Sequence, residues 1–455
     1  MKTRSSILTI LFCLLQFAKG QDFKLMRYDE DYSYLKDSTK TFYNVLRYVP
    51  LSSNGNRFAS FGGEGRLELD RAQNEDWGAK DIGSNTFLLQ RYNFHINVHL
   101  GKRLRFFSQI RSGLEAGRKN GPRPIDEDQM NIQNLFIDLL PLKTANKSIT
   151  LRIGRQELQY GSGRLIDVRE GPNLRTYFDG VKLSYFSPSL KLDGLIMSDG
   201  RTRTGLLDNP GIDRINLWGI YSTFSPSPNF NLDLYYLGNR RLGSLYDEGI
   251  VSERRNTFGT RFWKSAGRLL YNFEIGYQTG SFEKGKIRAW GGSSELGYRF
   301  INLNGIPTVK LRGDFISGDQ KKGDGELGTF SALYPNGGYF GMNPQAGPAN
   351  LLSLHPTLSW KALKKLLLST EVVLNWRQSE QDGIYRPDGS LSLSSSDSKK
   401  KYIGTAYIAS LSFELNRFLN FNLGLQYFDT GNFINDVIPG HRDGFFATTV
   451  IGFKF

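Results

Sequence analysis

From about residue 57 onward the chain alternates apolar and polar residues. Leu269, Tyr271, Phe273, Ile275 and Tyr277 are interleaved with Leu270, Asn272, Glu274, Gly276 and Gln278. Phe421, Leu423, Leu425 and Tyr427 alternate with Asn422, Gly424 and Gln426. A period of two sends successive side chains to opposite faces of a strand. The segments run about 9–14 residues, against about 5–6 in an ordinary globular strand. The pattern predicts eighteen strands, starting near Arg57, Asn85, Arg103, Met130, Ser148, Leu174, Ser189, Asp213, Asn229, Arg254, Arg268, Lys286, Pro307, Asn350, Leu366, Tyr402, Leu419 and Gly444. The alternation is weakest in the segments at Met130, Leu174 and Lys286. Short turns such as Ser225-Pro-Ser-Pro alternate with long polar loops such as 318–349 and 379–401, the arrangement of an outer-membrane barrel. The expected fold is all-β: a closed antiparallel transmembrane β-barrel of about 18 strands, of outer-membrane type. Closure follows because an open sheet edge in lipid leaves unpaired backbone groups, each costing several kcal/mol. A soluble sandwich would have to bury eighteen apolar faces in one core.

Composition refines this picture. The 455 residues include 50 Gly, 13% aromatics and a single Cys. No stretch after residue 20 approaches the roughly 18 apolar residues of a spanning helix. Residues 1–20 read as a secretory signal: Lys2 and Arg4, an apolar run from Ile7 to Phe17, then Ala18-Lys19-Gly20. Residues 21–56 read as an N-terminal periplasmic or lumenal segment, and 57–455 as the barrel. Cys13 falls inside the signal, which excludes a disulfide framework or a thiolate metal site in the remainder. Removing Lys2, Arg4 and Lys19 lowers the formal charge from +14 to +11. Location in the bacterial outer membrane is expected. The last segment, Phe445 to Phe455, ends in an aromatic residue, resembling the signal read by the barrel-assembly machinery, an expected partner.

A barrel of about 16–18 strands leaves an aqueous channel, so function should lie on the polar phase. That phase carries Arg91, His95, Arg103, Arg105, Arg111, Arg152, Arg261, Lys310, Arg312 and Arg377. Its acids include Glu68, Asp233, Glu274, Asp314, Glu371 and Glu414. The densest charge lies in residues 151–182. There Arg152 sits on a strand, and Arg155, Arg164, Arg169 and Arg175 are expected on the loop that follows. Glu157, Asp167, Glu170 and Asp179 lie among them as counter-charges. Gly161, Gly163 and Gly171 would let that loop fold back into the lumen. A guanidinium presents a rigid fork that matches carboxylates, and a ladder of weak sites would pass a polyanion stepwise. The plainer reading is that the arginines pair with the nearby acids and brace an inward loop. The two roles are compatible, because acid partners would hold the arginines and soften their grip.

Several irregular blocks resemble the alginate-export family of outer-membrane barrels. They are Arg152-x-Gly154-Arg155-Gln156-Glu157, Gly161-x-Gly163-Arg164-Leu165-Ile166, Arg169-Glu170-Gly171-Pro172-Asn173 and Phe178-Asp179-Gly180. Others are Gly318-Asp319, Leu327-Gly328-Thr329-Phe330, the stretch from Tyr334-Pro335 to Tyr339-Phe340-Gly341, and Arg27-Tyr28-Asp29-Glu30-Asp31-Tyr32. Together they span about a fifth of the chain. The resemblance implies an eighteen-stranded barrel with an arginine-lined constriction that passes an anionic polysaccharide outward, without bond chemistry. On this reading Arg91, Arg105, Arg152, Arg155, Arg164, Arg169, Arg175, Lys310 and Arg312 face the substrate. Glu157, Asp167, Glu170, Asp179 and Asp314 balance them. The alternatives are an anion-selective porin for small solutes and, from another class, a barrel hydrolase; a plugged structural or adhesive barrel is a further class.

Other chemistry finds little footing. His95 and His99, four apart on a strand, would hold their rings about 13 Å apart, too far for one metal. Ser353 and His355 share a phase, but no acid or amide partner is evident. The run from Gly318 to Glu326 has the wrong spacing for an EF-hand. No metal and no cofactor are expected, the barrel is expected to be monomeric, and no nucleic-acid partner is foreseen. The basic balance should meet anionic polysaccharide or oligosaccharide, outer-membrane lipid and the phosphates of lipopolysaccharide.

Overall fold

The structure, a computed structural model, describes residues 23–455 except Asp81 and Lys284. The signal segment therefore lies outside the described residues. Eighteen long strands form the wall. They are β1 (Arg57–Gln73), β2 (Ser84–Leu100), β3 (Leu104–Ala116), β4 (Asp128–Lys143), β5 (Ser148–Gln156) and β6 (Phe178–Ser187). Next come β7 (Leu190–Asp199), β8 (Leu217–Ser227), β9 (Phe230–Tyr246), β10 (Gly249–Lys264), β11 (Leu269–Phe282) and β12 (Gly285–Arg299). The last six are β13 (Thr308–Ile316), β14 (Leu351–Leu363), β15 (Leu366–Trp376), β16 (Tyr402–Glu414), β17 (Leu419–Thr430) and β18 (Gly444–Lys454). Each pairs antiparallel with its sequence neighbours. The cylinder closes where β18 pairs with β1, from Glu64 opposite Lys454 to Gln73 opposite Phe445.

The alternation does what closure in lipid requires. On β1, Leu67 and Leu69 point outward and are exposed, while Glu64 and Asp70 are buried on the inner face. Leu234, Phe258, Ile275, Leu296, Leu311 and Leu423 continue an exposed apolar band around the wall. Such a band is stable against hydrocarbon and not against water. Eight short turns join the strands at the end nearest the N-terminal segment, and nine loops join them at the other. Outer-membrane barrels keep short turns in the periplasm, which sets the orientation.

Three strand starts lie four or five residues from the expected positions. The sixth strand begins at Phe178 rather than Leu174, because Leu174 is buried in the inward loop, its N–H bonded to the Ile125 carbonyl at 3.0 Å. The eighth begins at Leu217 rather than Asp213, since Asp213 remains in the preceding loop, beside Arg201 and Arg214. The tenth begins at Gly249 rather than Arg254. A two-residue turn, Asp247-Glu248, lets β9 and β10 pair up to Tyr246 opposite Gly249. Arg103, assigned to the polar phase of a strand, lies in the periplasmic turn before β3.

Candidate functional site

The lumen is not the simple polar bore that strand parity suggests. Residues 157–177, between β5 and β6, turn inward through Gly161 and Gly163, at φ 58° and 81°, where a side chain is disfavoured. They meet residues 317–350, between β13 and β14. Asp167 N–H donates to the Tyr334 carbonyl at 2.9 Å, and Tyr334 N–H to the Leu165 carbonyl at 2.8 Å. Leu158, Leu165 and Ile166 of the first loop and Phe330, Leu333 and Phe340 of the second are buried together against wall residues such as Phe178 and Leu237. The two loops thus build an apolar core inside the cylinder. Arg377 also departs from its expected strand position. It lies just past β15, buried, donating to the carbonyls of Asp382 at 3.0 Å and Ser398 at 2.6 Å.

Most of the expected substrate-facing cations are held by carboxylates. Arg152 grips Asp138 with two nitrogens, at 2.7 and 3.0 Å, between the rings of Tyr28 and Phe136. Arg105 reaches the same Asp138 at 3.7 Å and donates to the Tyr28 carbonyl at 2.6 Å. Arg155 belongs to β5 rather than to the loop and clamps Asp179, its cross-strand partner, with two contacts of 2.9 Å. Arg91 and Arg175 share Glu64 and Glu170, and Arg175 also faces Glu157 at 3.7 Å. Arg164 crosses from the loop to Asp314 at 2.5 Å, and Arg312 holds the same carboxylate at 3.2 Å. Lys310 pairs with Glu295 at 3.2 Å. Asp167 instead caps its own loop, accepting from Arg169 N–H at 2.6 Å and from Gln159 at 2.8 Å.

Arg169 is different. It sits at φ 59°, its Nε has no hydrogen-bond partner, and no carboxylate pairs with it among the described residues. Burial depresses the pKa of its guanidinium, and nearby Arg241 adds to the effect. It lines an opening of about 520 Å³ at the extracellular end, together with Arg175, Arg201, Arg214, Arg240 and Arg241, against two acids, Asp199 and Asp388. Arg241 spends its donors on Ser331 Oγ at 3.2 Å and the Leu333 carbonyl, over the Tyr334 ring. Arg201 and Arg214 share Asp213 at 3.3 and 3.4 Å. A further cavity of about 530 Å³ shares Arg201 and Arg214. Arg240 and Arg241 escaped the sequence reading, although Arg241 was within reach: inward parity on β9 runs Asp233, Tyr235, Leu237, Asn239, Arg241. Loop residues Arg201 and Arg214 carry no periodic signal.

The N-terminal segment occupies the periplasmic part of the lumen. Tyr28 lies edge-on to Phe107 and Phe136, and its hydroxyl donates to the Glu157 carbonyl at 2.7 Å. Arg175 donates to the Leu25 carbonyl at 3.2 Å. The segment and the inward loop therefore touch each other.

His95 and His99 stack on different rings, Phe107 and Phe58. Ser353 does have an acid-supported histidine: its Oγ lies 2.9 Å from His355 Nε2, and Nδ1 lies 3.0 Å from Glu371. The sequence hid Glu371 because it comes from the neighbouring strand. Arg312 also contacts Nδ1, however, and the Ser353 hydroxyl donates to Asp314 at 3.2 Å, with both Ser353 and His355 buried.

The Gly318–Glu326 run anchors its loop. Asp319 N–H donates to Asp382 at 2.9 Å, and Asp319 accepts from Gly328 N–H at 2.8 Å. Burial raises the Asp319 pKa to about 7, helped by Glu248 and Asp382. The folded value exceeds the unfolded one of about 3.9, so the folded junction binds the extra proton. Its stability should be full below pH 4, decline between about pH 4 and 7, and level off above. Amide exchange in residues 317–328, corrected for its intrinsic pH dependence, should accelerate over that window. Asp319→Asn should flatten the profile; an unchanged profile would assign it to another group.

The profile of the alginate-export family matches residues 57–447. The chain belongs to the alginate-export family. As a member it is an outer-membrane transport barrel. Solved structures agree on the fold. Acinetobacter baumannii OccAB1 superposes at TM-score 0.60, with 11% identity, covering 90% of this chain and 99% of that one. Pseudomonas aeruginosa OccD3 (OpdP) gives 0.57 at 10% identity, covering 90% and 93%. The outer-membrane protein opdK of Pseudomonas aeruginosa gives 0.57 at 12%, covering 87% and 98%. No curated protein matches the chain.

Proposed function

We propose that this family member passes an anionic polysaccharide, an alginate-like polyuronate or its oligomers, and that Arg169 and Arg241 contact it at the extracellular opening. One observation carries the reading. Arg169, Arg240 and Arg241 face one opening without carboxylate partners of their own, whereas Arg91, Arg152, Arg155, Arg164 and Arg312 are already neutralised inside. A guanidinium whose charge no carboxylate balances takes a passing carboxylate, even where, as at Arg241, neutral acceptors already hold it; one paired with an acid braces the wall. A second reading, passage of small anions, is favoured by the Leu165–Tyr334 backbone bridge, which crosses the lumen between the two inward loops.

Planar-bilayer conductance separates the two. Polyuronate should block the channel at concentrations where a neutral glycan does not. Arg169→Gln with Arg241→Gln should raise the blocking concentration by about tenfold or more, since hydrogen bonds to charged groups contribute about 1.5–3 kcal/mol each. Equal block in wild type and variant would remove these arginines from the path. Current carried by small carboxylates, with no block by polymer, would favour the second reading.

A further inference from the structure

The formal charge of +14 is unevenly placed. The eight periplasmic turns contain seven Lys and Arg and no Asp or Glu, whereas the nine extracellular loops contain 19 Lys and Arg against 22 acids. The turn cations also differ in their company. Lumenal arginines are mostly clamped by carboxylates, yet none of Lys102, Arg103, Lys147, Arg268, Lys364 and Lys365 forms an ion pair among the described residues. Their hydrogen bonds, where present, go to neutral groups: Lys365 donates to the Leu415 carbonyl at 2.6 Å, and Arg268 to the Asn302 side chain at 3.4 Å.

Exposed apolar side chains share these turns. Phe300, Ile301 and Leu303 lie beside Arg268; Leu363, 63% exposed, and Leu415 lie beside Lys364 and Lys365. A cation on a flexible stem next to an outward greasy residue suits a membrane interface, where the chain is apolar and the headgroup is an anion. A soluble acidic protein or a polymer entering the mouth would gain nothing from the greasy neighbours. Lipopolysaccharide, expected from sequence to receive the basic excess, occupies the opposite leaflet, where the loops have no such excess. We infer that the periplasmic rim is a docking surface for anionic phospholipid headgroups of the inner leaflet of the outer membrane. Each cation near such a surface is worth about fivefold in affinity.

The test needs no transport assay. The full barrel is extracted from mixed micelles holding equal phosphatidylglycerol and phosphatidylethanolamine, and retained lipid is counted by native mass spectrometry. Wild type should retain phosphatidylglycerol over phosphatidylethanolamine by about tenfold or more. The triple variant Arg268→Gln, Lys364→Gln, Lys365→Gln should lose most of that preference. The extracellular control Lys399→Gln, Lys400→Gln, Lys401→Gln should keep it. Heat-modifiable gel mobility confirms that both variants are folded. Equal retention of the two lipids by wild type, or equal loss in both variants, overturns the inference. So does displacement of phosphatidylglycerol by soluble polyuronate, which would make the rim a capture surface for polymer.

Discussion

Arg175→Ala is expected to destabilise the docked inward loop by about 3–5 kcal/mol, the cost of leaving buried charge without its partner. Arg175 is 2% exposed and faces three carboxylates: Glu64 from β1, Glu157 at 3.7 Å, and Glu170 from its own loop. Arg91 is the other cation on Glu64 and Glu170, and one guanidinium cannot balance two buried acids, Glu64 and Glu157, together with the half-exposed Glu170. Burial alone would raise the Glu170 pKa, but Arg175 and Arg91 together hold it well below the usual carboxylate range. Without Arg175 the loop should leave the wall, and its backbone bridge to Tyr334 should open with it. Single-channel conductance should rise, and the barrel should lose its folded gel mobility at a lower temperature. Adding Glu170→Gln removes one stranded charge and should recover part of the loss. Conductance and stability both at the wild-type level would mean that the loop is held by its apolar core alone.

This prediction rests on a fact that sequence concealed. Parity correctly assigned Arg91, Arg152 and Arg312 to the inner phase, because a strand's period of two is local. Their partners are not local. Arg91 and Glu64 are neighbours only because β1 and β2 pair in one register, with Asn93 opposite Glu64. Glu371 reaches His355 from β15 in the same way. The strand starts were legible for a related reason: each is set by residues within a few positions. Misplaced starts occurred where a strand's end is decided by something distant, as when the inward loop claims Leu174. The inward turn itself was visible in Gly161 and Gly163. The apolar core that it builds was not, because Leu165 and Ile166 belong to no strand phase. Arg155 shows a third limit. Gly154, at φ 128°, lies against the Leu135 carbonyl, where a Cβ would come within 2.3 Å, and the strand runs past it to Gln156. The loop expected to begin at Arg155 starts later because the glycine before it is a strand residue admitting close backbone contact.

Glu30→Gln is expected to release the N-terminal segment from the lumen, again at a cost of about 3–5 kcal/mol to its docked state. Glu30 is 3% exposed and holds two buried cations, Arg27 at 2.8 Å and Arg47 at 2.6 Å. A glutamine keeps the shape but leaves both guanidinium groups without a charged partner. Neither has an easy alternative. Arg27 already donates to the carbonyls of Gly63 and Phe455, at 3.1 and 2.9 Å. Arg47 lies against β1 where Gly62 leaves room: a Cβ there would fall 1.8 Å from its Nη1. Trypsin should cleave after Arg27 or Arg47 in the variant and not in the wild type, while heat-modifiable mobility shows the barrel still closed. Conductance should increase if the segment narrows the periplasmic mouth. Gly62→Ala, which displaces Arg47 without changing any charge, should give the same cleavage. Protection in both variants would mean that Tyr28, seated between Phe107 and Phe136, is enough to anchor the segment alone.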